Sequence, residues 1–417
     1  MSRLLPTVSI VVLNWNGRSL LEGSLGSLEK LDYPADRLEL IVVDNGSSDG
    51  SVEYVEASHP GWKVARQESN LGFAEGNNRG AAAATGEWIG FVNNDMRVEP
   101  GWLSALLAGL DACPGAACLA SRILGWDGAT VDFVGGGVNY QGHGYQTDFG
   151  RSVGPGGSGR RLLFGCGGAM LVRRAVYEEL GGFDPAFFAY FEDIDLGWRM
   201  NLLGHDVWYT PGATAYHHHH SSGGKVEPHR LRVLYERNAL LTIYKCLDDS
   251  NLAAALPAAM LLLNERALIL SGADIARFRF GPADAPETPS AAISAPAGIV
   301  ARAARILREE GVARLAFKSG RALRRGLAEP PPAGSGVQVE AIALSHYVAL
   351  SEFAHALERL REQRRWVQAT RLRSDAEIIE LAGDFTHPNW VDERYLSFYD
   401  WLNRVQGLDS RFGEARA

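Results

Sequence analysis

The sequence predicts an α/β fold, with a Rossmann-like, mainly parallel sheet in the front half and a mostly α-helical C-terminal region behind it. Three observations carry that prediction. Strand-like and helix-like runs alternate from Val8 to Val92, the pattern of a sheet built by right-handed crossovers. The strand-like runs are continuously apolar and β-branched, as expected where both faces are covered. From His229 onward a helical period replaces them.

Val8–Leu13 (VSIVVL) is the first buried strand, and Leu20, Leu21, Leu25 and Leu28 mark the helix after it, which ends before Tyr33-Pro34. Leu38–Val43 is the second strand. It delivers Asp44-Asn45-Gly46-Ser47-Ser48-Asp49 at its carboxyl end, where Ser48 or Asp49 can cap a helix running toward His59-Pro60. Trp62–Gln67 is a third strand, Asn70–Gly86 a glycine-punctuated turn with an Ala-rich helix, and Glu87–Val92 a fourth strand ending in Asn93-Asn94-Asp95. A Pro100–Ala112 helix and an Ala117–Leu124 strand follow. Gly125–Gly159 is glycine-rich with scattered aromatics, and a loop of that length inside a domain is as a rule functional or mobile. Regular structure resumes over Leu162–Arg173, where Gly165–Ala169 precedes an apolar strand. A helix opens at Phe191, with Phe191, Ile194, Trp198 and Leu202 on one inward face, and His205–Tyr209 is the last strand. His229–Leu247, Leu252–Leu270 and Val348–Leu372 read as helices, Gly281–Pro296 and Pro330–Gly336 as linkers. The expected division is a domain over 1–225 and a helical region over 226–417.

The 417 residues carry a net charge of −8, placed unevenly: 16 Lys and Arg against 25 Asp and Glu over residues 1–225, and 25 against 24 beyond. An acidic front half argues against a nucleic-acid ligand and suits phosphates bridged by a cation. The four cysteines have no CxxC spacing, which suggests neither a zinc site nor a disulfide framework. Val8–Leu13 is too short for a signal segment, and the apolar run Leu252–Leu263 is shorter than the ~20 residues a bilayer span needs. A cytoplasmic protein is expected. Ile299–Leu327, with eight basic and two acidic side chains, leaves open a peripheral contact with the inner face of a membrane or a solvated, packed helix face.

In such sheets ligands bind beyond the carboxyl ends of the strands, where Asn14, Asp44 and Asp95 fall. Asn93-Asn94-Asp95 offers oxygen donors of the kind Mg²⁺ and Mn²⁺ take, or simply an Asn/Asp turn. Asp44 suits a nucleoside base or ribose, or a helix-capping turn. The glycines of Asn70-Leu71-Gly72-Phe73 and Gly76-Asn77-Asn78 let backbone approach a ligand. Of the run His217–His220, three read as solvated loop, and His217, nearest the strand end, as a metal ligand. The stretch Gly181–Arg199, GGFDPAFFAYFEDIDLGWR, sets Glu192 and Asp193 in a helix's first turn, where free N–H groups favour carboxylates. Carboxylates rimmed by aromatic rings suit a proton acceptor facing a bound hydroxyl. The plainer alternative is helix-start charge, with Asp195 and Arg199 as an i,i+4 ion pair. The GxGxxG, GxxxxGK[ST] and GxSxG motifs are absent.

Five blocks in order, VSIVVLNWNG, LIVVDNGSSDGS, ESNLGFAEGNNRG, GFVNNDMRVEPGWL and GCGGAMLVRRAVYEELGGFDPAFFAYFEDIDLGWR, resemble the family 2 glycosyltransferases, and among them the rhamnosyltransferase-like branch. The resemblance implies a GT-A fold and a nucleotide-diphosphate sugar donor. It further implies Mg²⁺ or Mn²⁺, and inverting transfer to a hydroxyl of a glycan, lipid-linked or small-molecule acceptor, as in polysaccharide biosynthesis. It makes Asp193 the catalytic base, Glu192 an acceptor-orienting acid, Asp44 the base- or ribose-binding aspartate, and Asp95 and His217 the metal ligands. Asn93 stands where the family's DxD has its first acid, which lowers the metal affinity implied. Donor and acceptor contacts are expected from Asn14, Asn16, Asn45, Asn70, Gly72, Asn77, Asn93, Asn94, Gly168, Ala169, Trp198 and Arg199. A homo-oligomer is left open. Two rivals remain: a sugar-phosphate nucleotidylyltransferase, which wants a Gly-rich loop that Asn14-Trp15-Asn16-Gly17 does not supply, and a non-catalytic nucleotide-sugar-binding protein, against which Asp95, Glu192, Asp193 and His217 count.

Overall fold

In a computed structural model, which describes residues 5–218, 226–273 and 339–413, the apolar runs form the sheet in the expected alternation. The first elements are β1 (Val8–Asn14), α1 (Arg18–Leu28), β2 (Leu38–Asp44), α2 (Ser51–Ser58), β3 (Lys63–Arg66), α3 (Gly72–Ala83) and β4 (Trp88–Asn93). β3, β2, β1 and β4 pair in parallel, and Ile10, Val11, Val12, Ile41, Val43, Ile89 and Phe91 are buried between the helical layers. The register sets Asn14 beside Asp44 and Leu13 beside Asn93. Three strands therefore stop at one edge.

Next come β5 (Met96–Val98), α4 (Trp102–Ala112), β6 (Ala116–Gly125), β7 (Val131–Phe133), β8 (Gly136–Val138), β9 (Gly144–Gln146), β10 (Arg160–Leu162), β11 (Ala169–Arg173), α5 (Arg174–Glu179), α6 (Glu192–Leu202) and β12 (Asp206–His217). Among the described residues the main sheet has ten strands in the order β10-β12-β6-β11-β4-β1-β2-β3, with β5 on β12 and β7 on β6. β6 and β12 keep the direction of β1–β4, whereas β11 is antiparallel to both its neighbours, β4 and β6. The chain reaches β11 without a crossover helix, so nothing obliges that strand to run parallel. β12 is longer than the sequence predicts. It passes Pro211-Gly212 through a register shift between Thr210 and Thr214 and ends at His217. Such an irregularity accommodates a proline that has no ladder N–H to give.

The C-terminal helices are α7 (Pro228–Cys246), α8 (Asp249–Ser271), α9 (Ala341–Thr370), α10 (Asp375–Leu381), α11 (Glu393–Gln406) and α12 (Leu408–Phe412). α9 packs along α7 and α8, and α11 against α8. Residues Met1–Ser271 and Glu340–Ala417 make one compact unit, so these helices share it with the sheet. They also pin the glycine-rich Gly125–Gly159 segment. Tyr140 is buried against Tyr399 and Phe412 and donates to Asn403 Oδ1 at 2.6 Å, while Tyr145 stacks on His387 at 4.6 Å. α8 runs past Leu263, where the apolar run ends, and is long and apolar enough by length and composition to cross a membrane. Here Ala255, Ala258, Ala259, Leu262 and Leu263 face inward, and Arg266 donates to buried Glu236 at 2.6 Å. Ile299–Leu327 and both linkers lie outside the described residues.

Candidate active site

The edge where β1, β2 and β4 stop is lined by side chains that are already hydrogen-bonded to one another. Asn94 Nδ2 donates to Asn14 Oδ1 at 2.7 Å, Asn14 Nδ2 to Ser47 Oγ at 3.2 Å, and the Ser47 N–H to Asp44 Oδ2 at 3.1 Å. Asn16, at a left-handed φ of 48°, donates its N–H to Ser47 Oγ and accepts from the Ser48 N–H at 2.8 Å. Gly17 makes room for this chain, since a Cβ there would lie 2.2 Å from Asn94 Nδ2. Asp44 is 4% exposed and its Oδ1 has no hydrogen-bond partner among the described residues. A buried carboxylate oxygen without a donor is costly, so this atom is suited to an N–H or O–H of a ligand. Asn45 does different work. Its Nδ2 donates to Asn70 Oδ1 at 2.9 Å and Gly72 O at 3.0 Å, and its Oδ1 accepts from the Leu71 N–H, which clamps the turn that opens α3.

Asp95 lies two residues beyond β4, in the turn before β5, and the antiparallel β5–β12 pair sets His217 opposite Met96. His217 Nε2 thereby lies 3.4 Å from Asp95 Oδ2, and its Nδ1 donates to Asp132 Oδ2 at 2.7 Å. Burial opposes charge on this ring, but the bonds to Asp132 and Asp95 outweigh it and push its pKa up to about 10. Two neighbouring ligands at ~2.1 Å from an octahedral cation lie roughly 3 Å apart, so Asp95 and His217 fit one Mg²⁺ or Mn²⁺ with little movement. Asp132 supplies the carboxylate that a metal-bound imidazole ordinarily has on its other nitrogen. Among the described residues no group of three or more His, Cys, Asp or Glu side chains is arranged to hold a cation alone. A cation held there would take its other ligands from substrate oxygens and water, as is usual for Mg²⁺. His218 is exposed with its ring against Trp126, and His219 and His220 lie outside the described residues.

α6 opens with Glu192 and Asp193. Asp193 Oδ2 accepts from the Gly167 N–H at 2.9 Å and Oδ1 from the Ile194 N–H at 2.8 Å. One residue on, the Gly168 carbonyl accepts from the Asn93 N–H at 2.9 Å. The turn before β11 thus ties the Asp193 carboxylate to the end of β4, where Asp95 begins the next turn. Glu192 is buried, and its Oε2 has no partner among the described residues. Burial first, and then the charge of Asp193, raise Glu192 well above the ordinary carboxylate range. Burial raises Asp193 too, but two backbone N–H bonds favour its charged form. Both carboxyls are thus pushed up, Glu192 further than Asp193, an order that makes Asp193 the more readily charged of the two.

Not every expected contact belongs to this edge. Trp198 and Arg199 are core residues. Arg199 spends its donors on Asp195 Oδ2 at 2.9 Å, Leu180 O at 2.8 Å and Gly182 O at 3.0 Å. α6 is buried on every side from Ile194 to Leu202, which encloses them both, so the plain ion-pair reading of Asp195–Arg199 holds. Lys245 extends it, with Nζ 2.7 Å from both Asp184 and Asp195. Asn77 is buried and donates to Phe73 O within its own helix at 3.0 Å. Asn70 and Gly72 shape the turn before α3, and Gly168 and Ala169 contribute backbone only; Ala169 is fully buried. Nothing in the sequence marks Asp132, which sits in a three-residue strand inside the glycine-rich segment and carries no periodic signal.

Residues 9–181 match the family model described as Glycosyl transferase family 2, a span that takes in Asn14, Asp44, Asp95 and Gly167 and ends before Asp193. The N-acetylglucosaminyl-diphospho-decaprenol L-rhamnosyltransferase of Mycobacterium tuberculosis is 28% identical over 251 residues, 54% of this chain and 79% of that protein. The pre-mycofactocin glycosyltransferase of the same organism is 30% identical over 199 residues, 47% of this chain and 41% of that protein. A crystal structure of GalNAc-T7 with UDP, GalNAc and Mn²⁺ aligns at a TM-score of 0.49 and 18% identity, over 66% of this chain and 53% of that one.

Proposed function

We propose that the chain, whose residues 9–181 match the family 2 glycosyltransferase model, acts as a glycosyltransferase of that family and transfers a sugar with inversion from a nucleotide-diphosphate donor to an acceptor hydroxyl. The observation that carries this reading is the Glu192–Asp193 pair, tied through Gly167 and Gly168 to the strand edge that holds Asp44 and Asp95. Asp193 takes the proton of the acceptor hydroxyl as that oxygen bonds to the anomeric carbon. The bond from that carbon to the diphosphate breaks on the opposite face, its electron pair leaves with the nucleotide diphosphate, and the configuration inverts. Glu192, protonated, donates to an acceptor oxygen. Asp44 Oδ1 accepts from the nucleoside base or ribose. Asp95 and His217 would hold Mg²⁺ or Mn²⁺, which when bound offsets charge gathering on the diphosphate. Asp132 keeps His217 turned toward Asp95. The name of the M. tuberculosis relative supports rhamnose as the sugar and a diphosphate-linked lipid sugar as the acceptor.

A thermal-shift panel of nucleotide sugars, each with and without Mn²⁺, tests the reading, because a ligand that binds only the folded state raises Tm. A nucleotide sugar that stabilises the protein chiefly in the presence of Mn²⁺ is expected. Failure of every nucleotide sugar to do so at millimolar concentration would overturn it.

A further inference from the structure

The loop that leads into α6 is held in a conformation its own residues disfavour. Phe188, Tyr190 and Phe191 have φ of 62°, 71° and 68°, left-handed values that bulky side chains adopt only under constraint. The constraint comes from α7. Asn238 is fully buried, and its Nδ2 lies 3.0 Å from Phe187 O, 2.9 Å from Ala189 O and 2.7 Å from Tyr190 O. Its Oδ1 accepts from Arg237 Nε at 3.0 Å, which fixes the amide with its nitrogen toward the loop. Arg237 Nη2 adds bonds to Ala186 O at 2.9 Å and Phe187 O at 3.0 Å. The Phe188 carbonyl faces the other way and accepts from the Ala74 N–H of α3 at 3.1 Å. Each carbonyl from Ala186 to Tyr190 is thus held by another element.

We propose that Asn238 is the positioning residue of this site: by gathering the carbonyls of the Phe187–Tyr190 loop it fixes the start of α6 so that Asp193 meets the Gly167 N–H. Neither α7 residue touches the strand edge. The inference rests on Asp193 being the base, and the test separates the two.

The experiment is a double-mutant cycle on the full chain: wild type, Asn238→Ala, Asp193→Asn and the double variant. Each is assayed for nucleoside diphosphate release with the nucleotide sugar that stabilises the wild type and a diphosphate-linked lipid sugar. A displaced base loses rate without loss of donor affinity, and a shift of ~1 Å can cost about 10²-fold. Asn238→Ala should lower kcat by about 10- to 10²-fold, leave donor KM within about twofold, and have no further effect in the Asp193→Asn background. Near wild-type kcat, a parallel loss of donor affinity, or losses that multiply in the double variant would each overturn the proposal. If Asn238→Ala does not fold, Asn238→Ser, which keeps one donor, goes through the same cycle under the same criteria. A wild type that transfers no sugar, or a fully active Asp193→Asn, removes the base and this inference with it. A fast Asn238→Ala beside a slow Asp193→Asn removes this inference alone.

Discussion

His217 donates its Nδ1 hydrogen to Asp132 at 2.7 Å, and that bond decides which ring nitrogen faces Asp95. Removing it with Asp132→Ala frees the ring to turn. Supporting carboxylates of this kind are worth ~10- to 100-fold in metal affinity, so the Mg²⁺ or Mn²⁺ concentration for half-maximal transfer should rise by about that factor. Excess EDTA should silence the wild type, and added Mn²⁺ should restore it. Full activity in EDTA, or an unchanged metal requirement in Asp132→Ala, would remove the cation from Asp95 and His217.

Glu192 gives a prediction about stability. Its raised pKa means that the folded chain holds this proton more tightly than the unfolded chain does. The stabilisation is complete below the ordinary glutamate pKa of ~4.3 and is lost as pH rises through the higher folded value. Glu192→Gln cannot titrate. Its stability relative to wild type should therefore increase with pH from about pH 4 upward, measured as the difference in urea midpoints. A difference flat in pH would show that Glu192 titrates normally.

Lys245 sits between Asp184 and Asp195 with all three side chains buried. Burial opposes charge on Asp184, yet Lys245 and Arg359 hold its carboxyl well below the ordinary range. Lys245→Met leaves two buried carboxylates short of an ammonium, and breaking such a pair costs about 3–5 kcal/mol. Because Asp184 is depressed, the stability it gains from its partners is present above the ordinary aspartate pKa of ~3.9 and lost in stronger acid. Denaturant melts should show the deficit at pH 7 and its narrowing below about pH 4. A variant within ~1 kcal/mol of wild type at pH 7 would mean that this network adds little.

The strand edge was legible because buried parallel strands leave continuous apolar runs, and Asn14, Asp44 and Asp95 mark where those runs stop. Glu192 and Asp193 were legible for a related reason, as the polar opening of an otherwise inward-facing helix. The same inward periodicity assigns Trp198 to the core, since a helix face cannot both pack inside and meet a ligand at the sheet edge, whereas Arg199 lies off that face and is buried because α6 is enclosed on every side. The direction of β11 was not readable, because it depends on a connection with no regular element in it. Asp132 and Asn238 were not readable either. Asp132 meets a partner 85 residues away, and Asn238 partners 48 to 51 residues away, and neither lies on a pattern that a local window detects.

The central claim is that Asp193 removes the acceptor proton, and the rate of sugar transfer by Asp193→Asn tests it most directly. The amide keeps the size of the carboxylate and can still accept from Gly167, so the melting temperature and nucleotide-sugar affinity, taken on the same preparation, should stay close to wild type. General-base contributions are typically ~10²–10⁴-fold, and transfer should fall by about that much. A variant that melts normally, binds donor normally and transfers sugar at near the wild-type rate would contradict the account.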